Sequence, residues 1–337
     1  MTALRPIEIV GGGLAGLSLG LALRRTGVPV TVLEAGTYPR HKVCGEFIAG
    51  LSGKPIARLG LAPFLTDALR LGEIAWFIDG KVARHQSLPA PALGLSRHTL
   101  DARLAAAFTA AGGTLRTHTR ATLDPAPGRV IATGRRRETD SPWIGLKVHA
   151  LGLPLARDLE LHLGADAYVG LARLPDDRVN ICGLFRRREL CAKGSDLLLG
   201  YLQAAGLVAL AKRIVNIDTQ SFSAVVALGF DARLPAYDGT LRLGDAGALI
   251  PPFTGNGMAM AFQSAELALD PLLAYARGDT AWPDACLAVH RALRRHFRLR
   301  LAAAHTLHPF LHHPPRQRTL ARLAPLLPLR PLHAALH

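Results

Sequence analysis

The order of apolar and polar positions divides the chain into a helix-and-strand frame at its two ends and a strand-rich middle. Ile7, Ile9 and Val10 form a short apolar run that ends on glycines and reads as a buried strand. Leu14 to Thr26 repeats at helical spacing, and Gly27 is a fitting stop just past it. Val30 to Leu33 is a second strand, rich in β-branched residues. Residues 95–108, LSRHTLDARLAAAF, predict an amphipathic helix, and Leu115 to Leu123 and Val130 to Thr133 predict further strands. In residues 143–187 and 221–230 the period changes. WIGLKVHA, LELHLG, AYVGLARL and RVNICGLF alternate and are separated by turn signals such as Pro175-Asp176-Asp177, which predicts an antiparallel sheet. A helix, Asp196 to Ile214, interrupts it. Leu241 and Leu243 begin another strand, followed by a Pro- and Gly-rich turn and a helix from near Met258 through Leu269. Residues 281–337 are helical, Leu/Ala-rich and basic.

A length of 337 residues suggests about two domains. Composition supports packed cores: 49% of residues are hydrophobic and only 19% charged. Forty basic against 25 acidic residues give +15, a balance that attracts anions. The arginines are spread along the chain and no aromatics interleave with basic strands, so nucleic acid is not expected as a partner. The four cysteines, Cys44, Cys182, Cys191 and Cys286, form no C-x-x-C pair. Free thiols suit a reducing, cytoplasmic setting. The first apolar run is broken by Gly11, Gly12 and Gly13 and is no signal peptide, and no stretch of roughly 18 apolar residues suggests a membrane span.

The candidate chemistry begins with the glycines. Gly11, Gly13 and Gly16 fall at G-x-G-x-x-G spacing, between a predicted strand and a predicted helix. The first permits the tight turn, the second admits a pyrophosphate, and the third lets helix and strand pack closely. The helix start then offers free N–H groups and a positive dipole end. Glu34, followed by Ala35, ends the second strand about 20 residues on, where a carboxylate can accept hydrogen bonds from an adenosine ribose and would repel a 2′-phosphate. Together these mark a dinucleotide cradle, and do not choose between FAD and NAD.

Residues 241–268, LRLGDAGALIPPFTGNGMAMAFQSAELA, read as a second strand-loop-helix aimed at the same ligand. Asp245 can bond the hydroxyls of a polyol, and Gly255 and Gly257 leave room for a flat ring. The two segments together resemble the FAD-binding superfamily of aromatic-ring monooxygenases, flavin halogenases and geranylgeranyl reductases. That resemblance implies an α/β fold: a Rossmann-like FAD-binding domain (1–75, 95–140 and 236–280), an inserted antiparallel β-sheet substrate domain (76–94 and 141–235) and a C-terminal helical tail (281–337). It implies FAD contacts at Gly11, Gly13, Gly16, Glu34, Gly244, Asp245, Gly255, Asn256, Gly257 and Met258.

Between the two loops, TYPRHKVCGEFIAG places Arg40 and Lys42 where they could neutralise phosphate. Cys44-Gly45 is similar to the Cys-Gly near the flavin in geranylgeranyl reductase-like members, which makes Cys44 a candidate reactive thiol and Glu46 a candidate proton donor. Arg97 and Leu100 resemble the family's Arg-x-x-Leu segment beside the cofactor. Ala132-Thr133-Gly134-Arg135 departs from the Asp-Gly, Ser, Arg pattern usual in the monooxygenases, which weakens NAD(P)H-driven hydroxylation. The W-x-W-x-I-P motif of flavin halogenases is missing. No second dinucleotide fold is visible, so NAD(P)H would bind transiently. No metal is expected: His305, His308, His312 and His313 lack a nearby carboxylate or Cys.

The function expected is an FAD-dependent oxidoreductase acting on an apolar or aromatic small molecule, by alkene reduction or monooxygenation. The alternatives are a non-redox, cyclase-like flavoprotein and a membrane-surface electron carrier. The basic tail, with Arg and Leu able to share one face, motivates the second through peripheral membrane contact.

Overall fold

A computed structural model describes residues 3–135, 138–229, 236–313, 315–317 and 319. β1 (Ile7–Val10), α1 (Leu14–Arg25) and β2 (Val30–Leu33) open the chain. β3 (Phe47–Ile48) and α2 (Gly53–Leu59) follow, then a long hairpin of β4 (Leu69–Ile78) and β5 (Lys81–Gly94). Next come α3 (Arg97–Ala110), β6 (Thr114–Arg116) and β7 (Arg129–Ile131). β8 (Trp143–Leu151), β9 (Leu159–Gly164), β10 (Ala167–Leu174) and β11 (Arg178–Arg186) precede α4 (Ser195–Ala204), α5 (Val208–Arg213) and β12 (Ile217–Val226). β13 (Leu241–Arg242), α6 (Gly257–Arg277) and α7 (Trp282–His312) close the series.

Two sheets result. The first is parallel, in the order β13-β7-β1-β2-β6, so the β-α-β unit sits at its centre. The second has eight strands, β12-β8-β11-β10-β9-β4-β5-β3, and is antiparallel except where β4 meets β9. This is the α/β architecture expected, but two stretches placed in its nucleotide-binding part pair elsewhere, the first being β3, the edge strand of the second sheet. β4 begins at Leu69, so residues 69–75 belong to the second sheet and not to the nucleotide-binding half.

The alternation in β8 shows why the second sheet has two unlike faces. Ile144, Leu146, Val148 and Ala150 are buried in one cluster with Leu198 and Leu202 of α4 and Leu210 of α5. Gly145, Lys147 and His149 point the other way, toward the space between the sheets.

Three elements differ from the sequence reading for local reasons. The strand expected over 115–123 pairs only at Thr114–Arg116, because His118 takes a left-handed φ of 53° and ends it. The helix expected over 196–214 breaks at Gly206, also left-handed. α6 does not stop before Pro271 but runs through it to Arg277. Leu272, Tyr275 and Ala276 are buried there, and their packing outweighs the lost hydrogen bond.

α7 is integral to the first core. Cys286, Val289, Leu293, Phe297, Leu301 and Ala304 recur at helical spacing and are buried in one cluster with Leu17 of α1 and Phe262 of α6. Its Arg291, Arg294, Arg295 and Arg298 face outward. Of the basic stretch 281–337 proposed for membrane contact, residues 314, 318 and 320–337 lie outside the described residues. Among the described residues, no helix is long and apolar enough to cross a membrane.

Candidate functional site

The glycines of the first loop divide into two kinds. A Cβ on Gly11, whose φ is 114°, would lie 2.3 Å from the Ala132 carbonyl oxygen. One on Gly16 would lie 2.1 Å from the Gly11 carbonyl. Both positions let β1, α1 and β7 touch. Gly13 is open: a Cβ there would have only an Arg97 terminal nitrogen, 3.9 Å away, as neighbour. Gly13 is also the N-cap of α1 and supplies no side chain to the helix start. The unsatisfied N–H groups of the first turn therefore face free space beside an arginine.

Glu34 is buried at the end of β2. One oxygen accepts from the Gly12 N–H at 2.8 Å, and the other accepts from the Gly36 N–H at 2.8 Å and from Arg40 at 3.0 Å. A carboxylate has about four acceptor positions. One therefore stays open for a ribose hydroxyl, and a second would require Arg40 to move. Ala35 is exposed beside it.

The second loop approaches from the other side. Gly244, at φ 58°, donates its N–H to Ser264 Oγ at 2.9 Å, and a Cβ there would press on Ala15 at 3.3 Å. Asp245 lies 3.4 Å from Arg135. Gly255 is left-handed at 68°, and a Cβ on it would lie 2.0 Å from the Phe47 ring. Asn256 is fully buried, and neither atom of its amide has a partner. It is the N-cap of α6 yet gives that helix no side-chain bond.

One cavity joins these parts. Gly13, Cys44, Arg97, Gly244, Asp245, Gly255, Gly257 and Met258 all line it. Gly11, Gly16 and Asn256 lie behind the wall, and Glu34, Ala35 and Arg40 lie beyond it next to Gly12. The two loops expected to converge do converge.

Arg97 is locked in place. It forms a two-toothed pair with Asp101 at 2.7 and 2.8 Å, and Lys42 reaches the same carboxylate at 2.7 Å. Lys42 is thus spent on Asp101. Burial works against the Arg97 charge, but Asp101 beside it outweighs burial and raises its pKa.

The two candidate catalytic residues fare differently. Cys44 faces the cavity, but burial raises its pKa, so it carries a neutral thiol. Glu46 is no proton donor. Its carboxylate accepts from Ser96 Oγ at 3.0 Å, from the Arg97 N–H at 2.9 Å and from His149 Nε2 at 2.5 Å, with the Lys147 ammonium 3.6 Å away. Burial opposes its charge, yet the His149 bond and the Lys147 charge hold its pKa below the carboxylate range. Glu46 ties the start of α3 to β8 and does not line the cavity.

Lys147, His149 and His41 were missed by sequence reasoning. The available signal was the alternation of WIGLKVHA, which places two cationic residue types on one face of a half-apolar strand. Lys147 is fully buried, with Nζ 2.9 Å from His41 Nδ1. An ammonium only donates, so His41 must accept and stay neutral. His41, Glu46 and His149 also bring three metal-ligating atoms within 4.8 Å of one another. The positive charge inside this group is already Lys147.

A pH dependence follows. Burial, then the neighbouring Lys147 and His149, lowers the His41 pKa from 6.5 to about 4. The unfolded chain takes up this proton first, so the stabilisation is complete above pH 6.5 and is lost as pH falls from 6.5 toward 4. The thermal midpoint should drop across that window, and less steeply in His41→Gln. Superimposable pH curves for the two proteins would refute the assignment.

Comparison with known proteins agrees with this geometry. Residues 9–41 match the family described as NAD(P)-binding Rossmann-like domain. No curated protein sequence matches the chain. Among solved structures, HpxO of Klebsiella pneumoniae, complexed with FAD and uric acid, is 16% identical with a TM-score of 0.75, covering 98% of this chain and 95% of that one. PqsL of Pseudomonas aeruginosa, in complex with 2-aminobenzoylacetate, is 18% identical with a TM-score of 0.71, covering 94% and 98%. The flavin-dependent brominase Bmp2 is 16% identical with a TM-score of 0.73, covering 99% and 93%. The chain has the fold shared by these flavin enzymes over almost its whole length.

Proposed function

We propose that this protein is an FAD-dependent oxidoreductase acting on an apolar or aromatic small molecule. One observation carries the reading. Two glycine loops more than 200 residues apart in sequence open onto a single cavity, each leading into a helix whose start no side chain caps. The donors suit the cofactor. The α1 start and Arg97 would hold the pyrophosphate, Asp245 the ribityl hydroxyls, and Glu34 a ribose hydroxyl. The unpartnered Asn256 amide and the α6 start lie where the loop 252–257 would border the ring. HpxO, of the same fold, was crystallised with FAD.

Bound FAD would supply hydride transfer or oxygen activation. The chain's own residues supply orientation and a dry wall: the second sheet faces the cavity with Ile74, Leu159, Leu161 and Leu184. Alkene reduction and monooxygenation both fit this wall, with NAD(P)H as a transient reductant.

Reconstituted protein should be yellow, with flavin bands that survive desalting and are released on denaturation. NAD(P)H oxidation with and without oxygen then separates the two reactions. Substrate-stimulated consumption that needs oxygen indicates a monooxygenase, and anaerobic turnover of an alkene indicates a reductase. A colourless protein after reconstitution would refute the flavin reading.

A further inference from the structure

The register of the second sheet lays out its cavity-side face as three cross-strand rows. The first runs Gly145, Leu184, Tyr168, Leu163, Ile78; the second Lys147, Cys182, Gly170, Leu161, Trp76; the third His149, Asn180, Ala172, Leu159, Ile74. The β8–β11 side is polar, and the β9–β4 side is apolar. Gly170 and Ala172, in the middle strand, form a shallow trough between them.

Tyr168 stands at the edge of that trough. Its side chain is 97% buried and lines the cavity, while its hydroxyl has no hydrogen-bond partner. The Phe253 backbone N–H acts on the hydroxyl oxygen, which leaves the O–H itself without an acceptor. The ring is fixed edge-on by Phe253 at 6.3 Å and His308 at 6.0 Å, so the hydroxyl cannot swing out to water. Burial raises its pKa, which keeps it a donor. On the same sheet face and in the same apolar cluster, the Trp76 Nε1–H is a second buried donor without a partner. A buried donor left unsatisfied bears its desolvation penalty with nothing to offset it. Of the two, Tyr168 lines the cavity, so its hydroxyl is the donor that a ligand bringing an acceptor would meet.

We propose that Tyr168 is a substrate-contact residue that selects a neutral, apolar ring system bearing a carbonyl or equivalent oxygen, held by the Tyr168 hydroxyl. This rests on the flavin reading only for the reaction that follows, not for binding. Among the described residues, the ionised side chains facing this half of the cavity are paired: Glu160 with His162 and with both ends of Arg213, and Arg135 with Asp245 at 3.4 Å. A charged substrate would enter without a counter-charge. Phe253 belongs to the loop 252–257, so an oxygen held at Tyr168 lies beside the segment assigned to the ring.

The test uses a matched pair, 1-indanone and indane, which differ only by the ketone oxygen. FAD-loaded protein is titrated with each by calorimetry and by perturbation of the flavin spectrum. Wild type should bind the ketone roughly threefold to tenfold more tightly than the hydrocarbon. In Tyr168→Phe, which keeps the ring, that ratio should fall to about one while indane affinity changes less than twofold. A ratio of one in wild type, a ratio preserved in Tyr168→Phe, or no binding of either compound would overturn the proposal. Calorimetry does not need the flavin. A colourless protein that still prefers the ketone sinks the cofactor reading alone, and a yellow protein without preference sinks only this one.

Discussion

Glu46→Ala should lose about 3–5 kcal/mol of folding stability, the cost of removing one partner from a buried ion pair. Lys147 is fully buried, and Glu46 is its nearest carboxylate, 3.6 Å away. The same carboxylate also satisfies Ser96 Oγ, the Arg97 N–H and His149 Nε2. Removing it strands an ammonium and three donors at once. The check is urea unfolding of the wild type, Glu46→Ala and the double variant Glu46→Ala/Lys147→Met. The second substitution deletes the orphaned charge and should recover at least about 1 kcal/mol. If Lys147→Met gives no recovery in the Glu46→Ala background, the pair is not coupled as described.

The second large effect separates two glycines that look alike in the motif. Gly11→Ala should prevent stable folding, because its Cβ would lie 2.3 Å from the Ala132 carbonyl and its φ of 114° disfavours any side chain. Gly13→Ala should fold normally, since its Cβ meets only an Arg97 nitrogen at 3.9 Å, an ordinary van der Waals distance. That Cβ nevertheless projects into the space assigned to the pyrophosphate, so FAD affinity should drop at least about tenfold, a loss of roughly 1.4 kcal/mol. Thermal melting of the flavin-free protein reads the first effect, and quenching of flavin fluorescence on titration reads the second. Wild-type FAD affinity in Gly13→Ala would place the pyrophosphate elsewhere.

The cofactor cradle was legible in the sequence because its requirements are local. A tight turn, a close backbone approach and a helix start each leave a glycine at a fixed offset. Gly11, Gly13, Gly16, Gly244, Gly255 and Gly257 could all be read that way. Arg97 was legible as a position but not in its setting: its Asp101 partner is local, at i+4, whereas Lys42 comes from a distant loop. The role of Glu46 was misread for the same reason. Its partners His149 and Lys147 are about 100 residues away, and only strand register brings them together. A residue beside a reactive-looking cysteine invites an acid–base role, yet its surroundings fix it as an anion. The boundary at Leu69 was hidden because β4 pairs with β9, a neighbour that comes much later in the chain.

The core shared by α1, α6 and α7 has a consequence for how the polypeptide is made. β1 and α1 leave the ribosome well before α6 and α7, which share their core from more than 200 residues further along the chain. At roughly 5–20 residues per second, the nascent N-terminal unit waits many seconds before the α6 and α7 part of its core is in place. One face of the eight-stranded sheet is covered sooner, by α4 and α5 soon after β11, while its other face waits for Leu311 of α7. The interval in which the newborn chain needs a holdase is therefore set by the distance from Leu17 to Phe297.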